Sequence, residues 1–261
     1  MQSLVVSAVR KGGRDLRRLL RPLVRDCVVE IDGITFALHP RDNLFDYGLL
    51  VTGRLTEQVS RKRLMAWVEG RRVAFFDIGA NSGGYALTAA KKSGPGSVVL
   101  AFEAASVMAG RLRRNVELNG LQDRVRVHHV ALSDREGSAT LRHNRGNYGQ
   151  ASLDPRTKTP DGGETVDTRP LAAFMADLPP VEAIVMKIDV EGLEARVLAG
   201  LLRDETATLP LPDAILIETE HAHLWEDDLF GLLADRGYHT RYIGEGNALF
   251  ALGPAPSEAA A

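Results

Sequence analysis

The sequence predicts a doubly wound α/β domain with a mostly parallel sheet. From residue 72 onward, short apolar runs alternate with segments of helical periodicity, as in proteins whose parallel strands are joined through helices. The first run ends in a glycine-rich turn at residues 79–84, a common strand-to-helix connection in such sheets. The last two runs, 238–243 and 248–252, are separated only by a turn. The sheet should therefore finish with an antiparallel strand.

Composition limits the class of protein. The chain has 261 residues, of which 44% are hydrophobic, and a net charge of −2. It is long enough to bury a large core, and the near-neutral charge argues against a general nucleic-acid binder. The single cysteine, Cys27, excludes an intrachain disulfide and a cysteine-based zinc site. We find neither a membrane-spanning apolar run nor a signal-peptide pattern, and we expect a cytoplasmic protein.

We expect residues 1–70 to form an N-terminal extension packed on the core: a basic helix, a β-hairpin and a second helix. Residues 10–25 are rich in arginine. Leucines recur among them at helical spacing, at Leu16, Leu19, Leu20 and Leu23. The favoured interpretation is a helix whose leucines pack on the domain, because surface helices often have this pattern. The alternative is peripheral membrane contact through a basic amphipathic helix.

The rest of the extension has clear turn and helix signals. The dipeptide Asp32-Gly33 separates two β-rich runs within residues 27–38, which predicts a hairpin. Residues 55–68 are predicted to form a helix that leads into the core domain. These elements are also where we expect the contact of a homodimer.

The core domain is expected over residues 71–252. Strands are predicted at 73–77, 97–103, 125–132, 181–188 and 214–218, followed by the terminal pair. Helices are predicted at 85–92, 107–118, 171–175, 193–202 and 229–235. The polar segment 133–167 interrupts this order and predicts short strands and a mobile loop, either a lid over an acceptor or a solvated insertion. Its candidate acceptor-binding residues are His143, Asn144, Arg145, Asn147 and Tyr148. Residues 253–261 are expected to be a disordered tail.

Two features indicate a cofactor that contains a ribose. The first is the turn Asp77-Ile78-Gly79-Ala80-Asn81-Ser82-Gly83, where glycines let a ligand approach the backbone. The second is Glu103 at the end of the next strand, where an acid can hydrogen-bond ribose hydroxyls. Both features also fit a nicotinamide cofactor. However, position 81 is not glycine, so the phosphate-binding pattern Gly-x-Gly-x-x-Gly is incomplete.

A third feature is the block Lys187-Ile188-Asp189-Val190-Glu191-Gly192 after an apolar strand. Lys187, Asp189 and Glu191 alternate, so their side chains begin on one face if the strand continues that far. The carboxyl end of a strand is where ligands bind in doubly wound sheets. The block therefore predicts charged groups beside the cofactor.

Together these motifs resemble the FkbM-type methyltransferases, a branch of the class I S-adenosylmethionine-dependent enzymes. The matching segments occur in the family's order at residues 77–83, 102–103, 115–119, 131–134 with Gly137, 187–192 and 216–218. Residues 166–170 depart from the family, which often has a Thr-Leu-Asp-like block there. The resemblance implies a Rossmann-like class I methyltransferase fold with a seven-stranded sheet.

The resemblance also implies a cofactor and a reaction. The cofactor would be S-adenosylmethionine, with Asp189 near its sulfonium and near the acceptor. Its other predicted contacts are Asp77, Gly79, Ala80, Asn81 and Gly83 at the methionine end, Glu103 at the ribose, and Ala131, Leu132 and Ser133 at the adenine. The reaction would be methylation of a hydroxyl of a sugar, glycolipid or natural product. The expected partner is therefore a small-molecule or glycan acceptor.

Catalysis is predicted to depend on Asp189, Glu191, Lys187 and Glu218. A sugar hydroxyl is a poor nucleophile at neutral pH, so a base or a metal should help. We favour a carboxylate acting as general base, and the alternative is Mg²⁺ held by Asp189 and Glu218. His221 and His223 are interpreted as part of a polar loop, because a third soft ligand for zinc is not evident.

Other functions remain as alternatives. One is an NAD(P)-dependent oxidoreductase, although the chain has no Tyr-x-x-x-Lys pair for hydride transfer. Another is a non-catalytic cofactor-binding module of the same fold. A nucleic-acid N-methyltransferase is disfavoured, because residues 189–192 do not form the Asn/Asp-Pro-Pro-aromatic block typical of that chemistry.

Overall fold

The computed structural model of the protein describes residues 2–144, 146–156, 163–203 and 209–255. Its helices are α1 Gln2–Lys11, α2 Arg14–Leu20, α3 Leu44–Thr52, α4 Gln58–Met65, α5 Gly84–Lys92, α6 Ser106–Leu118, α7 Ala172–Met175, α8 Glu194–Arg203 and α9 Leu229–Asp235. Its strands are β1 Cys27–Ile31, β2 Ile34–Leu38, β3 Val73–Ile78, β4 Val98–Phe102, β5 Val125–His128, β6 Ala131–Ser133, β7 Gly137–Asn144, β8 Asn147–Ser152, β9 Gly163–Pro170, β10 Ala183–Ile188, β11 Ala214–Glu218, β12 His239–Gly244 and β13 Asn247–Ala251. Short 3-10 turns lie at Arg21–Leu23 and Ala222–Leu224.

A seven-stranded sheet forms the centre of the molecule, in the order β12-β13-β11-β10-β3-β4-β5. Strands β11, β10, β3, β4 and β5 are parallel, and β13 pairs antiparallel with both β11 and β12. The predicted α/β fold with a mostly parallel sheet and a terminal antiparallel strand is confirmed. Parallel strands end at one edge, so the segments that follow β3, β4 and β10 meet there.

The apolar core lies on both faces of this sheet. Phe75 and Val185 point to one face, with side chains from the hairpin and from α3, α4, α5 and α6. Phe76 and Met186 point to the other, with side chains from α7, α8 and α9. Strands buried on both faces read as continuous apolar runs, which is why β3, β4 and β10 could be located from the sequence.

The segment after β5 differs from the prediction. A strand over residues 125–132 was predicted, but β5 ends at His128 and pairs with β4, whereas β6 pairs with β9. The polar segment 133–167 then forms most of a second, four-stranded sheet in the order β6-β9-β7-β8. Residues 145 and 157–162, including the candidate Arg145, lie outside the described part of the chain. The prediction of one strand is wrong because a run of β-favouring residues does not show where the chain changes sheets.

The N-terminal extension contains the predicted hairpin, with Ile31 paired to Ile34 across the Asp32-Gly33 turn. Helix α4 is shorter than the helix predicted over residues 55–68. Helix α3 was not predicted, although its N-terminal signal is present in the sequence. The side chain of Asn43 accepts a hydrogen bond from the backbone N–H of Asp46, which is the capping geometry that Asn favours.

The leucines of α2 and the following turn do not all pack on the domain. Leu20 contacts the core, but Leu16, Leu19 and Leu23 are 42%, 73% and 61% exposed. The favoured interpretation of this segment is therefore wrong for these three residues. The alternative of peripheral membrane contact stays a prediction. Within the described residues, none of the helices combines the length and apolar character needed to cross a bilayer. Most of the predicted tail, residues 256–261, is outside that part of the chain.

Candidate functional site

A cleft opens at the edge of the sheet where β3, β4 and β10 end. It contains about 640 Å³ of space, its open mouth included. One wall is the turn after β3, and a second is Glu103 with the residues around β6. Asp189 and Glu191 line a third side, while Tyr148 and Gly149 of β8 cover it. Several segments that were singled out in the sequence therefore line one cavity.

The turn after β3 owes its shape partly to packing. Gly79 has a φ of +77°, and a Cβ there would lie 1.7 Å from the carbonyl oxygen of Asp189. Only glycine can make this approach. Asn81 also has a left-handed φ of +52°, which Asn tolerates better than most residues. Gly79 and Asn81 line the cleft. Ala80 and Gly83 belong to the same turn but not to the lining of the cleft.

Asp77 lies beneath the turn and is 1% exposed. Its Oδ2 accepts a hydrogen bond of 2.7 Å from the backbone N–H of Ala86, in the first turn of α5. Burial raises the pKa of Asp77, although Lys187 opposes that shift. The contacts of Asp77 are those of a residue that holds the turn against α5.

Glu103 is the acid that follows β4, and it is 9% exposed. Its two carboxylate oxygens accept hydrogen bonds of 2.8 Å from the backbone N–H groups of Asn81 and Ala105. Burial raises its pKa to about 7, against the opposing effect of these two hydrogen bonds. Each oxygen keeps a lone pair, so Glu103 can still accept hydrogen bonds from a ligand in the cleft.

The far end of the cleft is apolar. Its lining side chains come from β6, from the residue before β6 and from the second sheet: Val130, Ala131, Leu132, Leu141, Ala151 and Leu153. Ser133, predicted to edge this pocket, lies outside the lining, and its hydroxyl donates to Asp134. An apolar pocket beside a hydrogen-bonding acid suits a ring system joined to a sugar.

Lys187, which is buried, forms an ion pair with the half-buried Asp189. Nζ of Lys187 is 2.9 Å from Oδ2 of Asp189 and 3.3 Å from the carbonyl oxygen of Gly79. Burial lowers the pKa of Lys187, but Asp189 and Asp77 outweigh burial and raise it. Lys187 therefore stays protonated and positions Asp189 against the turn.

Glu191 is oriented differently from the prediction. Strand β10 ends at Ile188, so the alternation of side chains does not extend to Glu191. Glu191 has a left-handed φ of +55°, which directs its carboxylate toward His221, with Oε2 at 3.4 Å from Nδ1. Burial raises the pKa of Glu191 to about 8, and Asp189 adds to the effect.

Glu218 and His221 form a cluster of titratable side chains with Glu191. Oε2 of Glu218 is 3.6 Å from Nδ1 of His221, and both atoms are buried without a hydrogen-bond partner in the described structure. Burial, with a contribution from Asp189, raises the pKa of Glu218 to about 8. His221 was not predicted as part of the site. Its spacing of three residues from Glu218 was the available signal, but the turn that brings the two together was not evident.

The carboxylates do not form a recognisable metal site. Across the described residues, His, Cys, Asp and Glu side chains nowhere gather in a group of three or more suited to a metal ion. Lys187 already pairs with Asp189, and Glu218 accepts a hydrogen bond of 2.6 Å from the backbone N–H of Glu220. The alternative of Mg²⁺ held by Asp189 and Glu218 therefore has no support.

A second set of residues missed from the sequence lies at the start of α3. The side chain of Asn43 donates to Oδ1 of Asn81 at 2.8 Å, and Oδ1 of Asp46 accepts from the hydroxyl of Ser82 at 2.8 Å. Asn43, Asp46 and Ser82 are fully buried. The N-terminal extension thus holds the turn that lines the cleft.

The same segment holds β8 over the cleft. The carbonyl oxygen of Asp42 accepts a hydrogen bond of 2.8 Å from the backbone N–H of Tyr148, and the carboxylate of Asp42 forms a bidentate pair with Arg111. The backbone N–H of Leu44 donates to the side chain of Asn147 at 2.9 Å. We call residues 42–46 the bridging segment. Such distant contacts leave no periodic pattern in a sequence.

Comparison with known proteins identifies the family. The Methyltransferase FkbM domain matches residues 77–240, which contain the turn, Glu103, Glu191 and Glu218. The chain belongs to the FkbM methyltransferase family. The resemblance drawn from the motifs is confirmed, and membership in a methyltransferase family speaks against the oxidoreductase alternative.

Relatives of this FkbM protein are distant. Methyltransferase 1 of Beauveria bassiana is 29% identical in an alignment of 143 residues that covers 48% of this chain and 57% of the relative. The match thus spans little more than half of that protein.

Solved structures with a similar fold include two methyltransferases. An O-methyltransferase from Bacillus cereus in complex with SAH is 15% identical, with a TM-score of 0.45 over 76% of this chain and 81% of that one. A precorrin-6y C5,15-methyltransferase from Geobacter metallireducens is 14% identical, with a TM-score of 0.43 over 74% and 86%. Because both TM-scores are below 0.5, we base the description of the fold on the sheet topology of the FkbM protein itself.

The FkbM domain match begins at Asp77 and leaves out the bridging segment. Two buried partners of the turn, Asn43 and Asp46, therefore lie outside the family region. The cleft of this protein is completed by residues that precede the domain.

Proposed function

We propose that this protein transfers a methyl group from S-adenosylmethionine to a hydroxyl of a sugar, glycolipid or natural-product acceptor. The observation that carries the proposal is the position of Glu191. It lines the same cleft as Glu103 and lies in a half-buried cluster with Glu218 and His221. A proton acceptor beside a cleft for a nucleoside-type cofactor is what methylation of a hydroxyl requires.

The residues of the cleft fit S-adenosylmethionine. Glu103 can accept hydrogen bonds from the two ribose hydroxyls, and Ala131 and Leu132 lie in an apolar pocket suited to adenine. Gly79 and Asn81 would lie along the methionine end. Bound S-adenosylmethionine would supply an activated methyl group. The carboxylate of Asp189 lines the same cleft and would favour the positive charge of the sulfonium.

Glu191 is the proposed general base. A group with a pKa of about 8 is partly unprotonated at neutral pH and still has a useful affinity for a proton. Its carboxylate would hydrogen-bond the acceptor hydroxyl, hold the oxygen in line with the methyl group and take its proton as the new bond forms. His221 lies within 3.6 Å of both Glu191 and Glu218 and would act as a positioning residue for the carboxylate of Glu191. Lys187 would act as a positioning residue for Asp189.

The first experiment is isothermal titration of S-adenosylmethionine into the purified protein, with NADH as a parallel ligand. We expect saturable binding of S-adenosylmethionine and none of NADH. If S-adenosylmethionine does not bind, the proposed cofactor is wrong and the proposal is rejected.

The second experiment is a methyl-transfer screen with labelled cofactor against hydroxylated small molecules and glycans, with and without a chelator. We expect an O-methylated product whose yield does not depend on the chelator. Cofactor binding without transfer to any hydroxyl acceptor would favour the non-catalytic module, and an N-methylated product would exclude the proposed acceptor class.

A further inference from the structure

A groove separate from the cleft lies on the face of the sheet covered by the N-terminal extension. It contains about 1920 Å³ of space, its open mouth included, and is therefore larger than the cleft. Helix α4 forms one wall, and the hairpin tip, the end of α5 and β13 form the others. None of its lining residues lines the cleft.

The floor of the groove is apolar and recessed. It includes Ile34, Leu55, Met65, Trp67 and Leu249, each no more than 5% exposed. An aliphatic chain that enters the groove would gain free energy through contact with this floor.

The rim of the groove is cationic, in a protein whose net charge is −2. Five exposed cations lie there: Lys62, Arg63, Lys91, Lys92 and Arg241. The acids of the lining are Asp32 and Glu69, and Glu69 already pairs with Lys92 at 3.0 Å.

Most of these cations lack a carboxylate partner. Arg63 stacks on the ring of Tyr242, and Lys91 contacts the carbonyl oxygen of Gly33. Neither Lys62 nor Arg241 has an acidic group within ion-pair distance among the residues that the structure describes. The rim therefore carries positive charge that an anionic ligand would complement.

We propose that the groove binds one free long-chain fatty acid, with its aliphatic chain on the apolar floor and its carboxylate at the cationic rim. We expect both the chain and the charge to contribute, since the floor is mainly apolar and the exposed rim carries five cations. This proposal does not rest on methyl transfer, because the groove and the cleft have separate linings.

Trp67 provides a direct test, because it lies in the floor and the chain has only two tryptophans. The other, Trp225, packs on the opposite face of the sheet. A fatty acid brominated in mid-chain quenches tryptophan on contact. Titrated below its micelle concentration into the full-length protein, it should quench the fluorescence saturably. The Trp67→Phe variant should show no quenching.

Charge reversal tests the rim. The double variant Lys62→Glu with Arg241→Glu should weaken binding by about tenfold or more, because two exposed cations that attract the carboxylate are replaced by two anions that repel it. The matched control is Arg113→Glu, an exposed position on α6 outside the groove, which should bind as the wild type does. A neutral alcohol of equal chain length should bind about as weakly to the wild type as the acid does to the double variant.

Several results would overturn the proposal. One is the absence of saturable quenching, and another is equal quenching in the double variant. Quenching that appears only after removal of residues 256–261, which follow the lining residue Ala255, would identify that segment as the occupant. Binding to anionic vesicles without quenching by the free acid would identify a bilayer.

Discussion

The chemistry of the cleft depends on individual carboxylates whose properties are set by burial. Glu103, Glu191 and Glu218 all have raised pKa values, and in each case removal from water is the largest cause. Burial disfavours the charged form of a carboxylate. The same residue type can therefore hold a ligand at one position and accept a proton at another.

The pKa of Glu191 predicts the pH dependence of the reaction. A general base must be unprotonated, so kcat/KM should rise with pH and level off above pH 8. Glu191→Gln should remove this rise and lower kcat by roughly 100- to 10,000-fold. The measurement is a pH series with the best acceptor, and Glu117→Gln, an exposed position on α6, is the control. A Glu191→Gln enzyme with the wild-type pH profile would rule out Glu191 as the base.

Glu103→Gln tests the cofactor side of the cleft. An amide group cannot accept hydrogen bonds from both Asn81 and Ala105, and it binds hydroxyls less strongly than a carboxylate. We expect S-adenosylmethionine to bind roughly 10- to 100-fold more weakly by isothermal titration. Glu136→Gln, an exposed position in the turn between β6 and β7, should bind normally. An unchanged affinity in Glu103→Gln would mean that this acid does not contact the cofactor.

For individual residues, the sequence predicts which side chains reach the cleft better than it predicts how they are oriented there. Glu103 and Asp189 line the cleft as expected, because their positions follow from strand ends. The orientation of Glu191 depends on a single left-handed φ, and the contact of His221 depends on a turn. Neither has a periodic signature, so neither could be predicted from spacing.

Among the elements, the bridging segment connects parts of the site that are distant in sequence. Asn43 both caps α3 and donates to Asn81, while Asp42 and Leu44 hold β8. The strands and helices of the core were predictable from apolar periodicity. This connection was not, because it depends on single polar contacts between three elements.

Two substitutions of Asn43 separate its two roles. Asn43→Ala removes the helix cap and leaves buried polar groups unpaired, which should destabilise the fold by about 1–3 kcal/mol and weaken cofactor binding. Asn43→Ser can still cap α3 but is too short to reach Asn81. Compared with Asn43→Ala, it should regain much of the free energy of unfolding measured in urea but not the affinity for S-adenosylmethionine. If Asn43→Ser restores both, the contact with Asn81 does not matter to the cofactor.

For the whole molecule, the extension and the family domain should respond to the cofactor as one unit. A ligand present at 100 times its Kd stabilises the folded state by about 2.7 kcal/mol. Because the bridging segment links the turn to β8, we expect slower hydrogen exchange at the amides of Leu44, Asn81 and Tyr148 when S-adenosylmethionine is added. Peptides from β12, at the far edge of the sheet, serve as the reference. If exchange slows only within residues 77–103, the N-terminal extension does not respond to cofactor binding.

The overall architecture is the part that the sequence predicts best. Alternation of apolar runs and helices is repeated along most of the chain, so an error in one element does not change the inferred sheet. The second sheet is the exception. Its strands are partly polar and exposed, as in the alternating burial of β9, and its apolar contacts come from residues far along the chain.

The close approach at Gly79 has an evolutionary consequence. The turn and the carbonyl group of Asp189 are in contact because position 79 has no side chain. Even alanine would force the ends of β3 and β10 apart, because its Cβ would clash with a backbone carbonyl group rather than with a movable side chain. We therefore expect relatives to keep glycine at this position for steric reasons, even where they methylate a different acceptor.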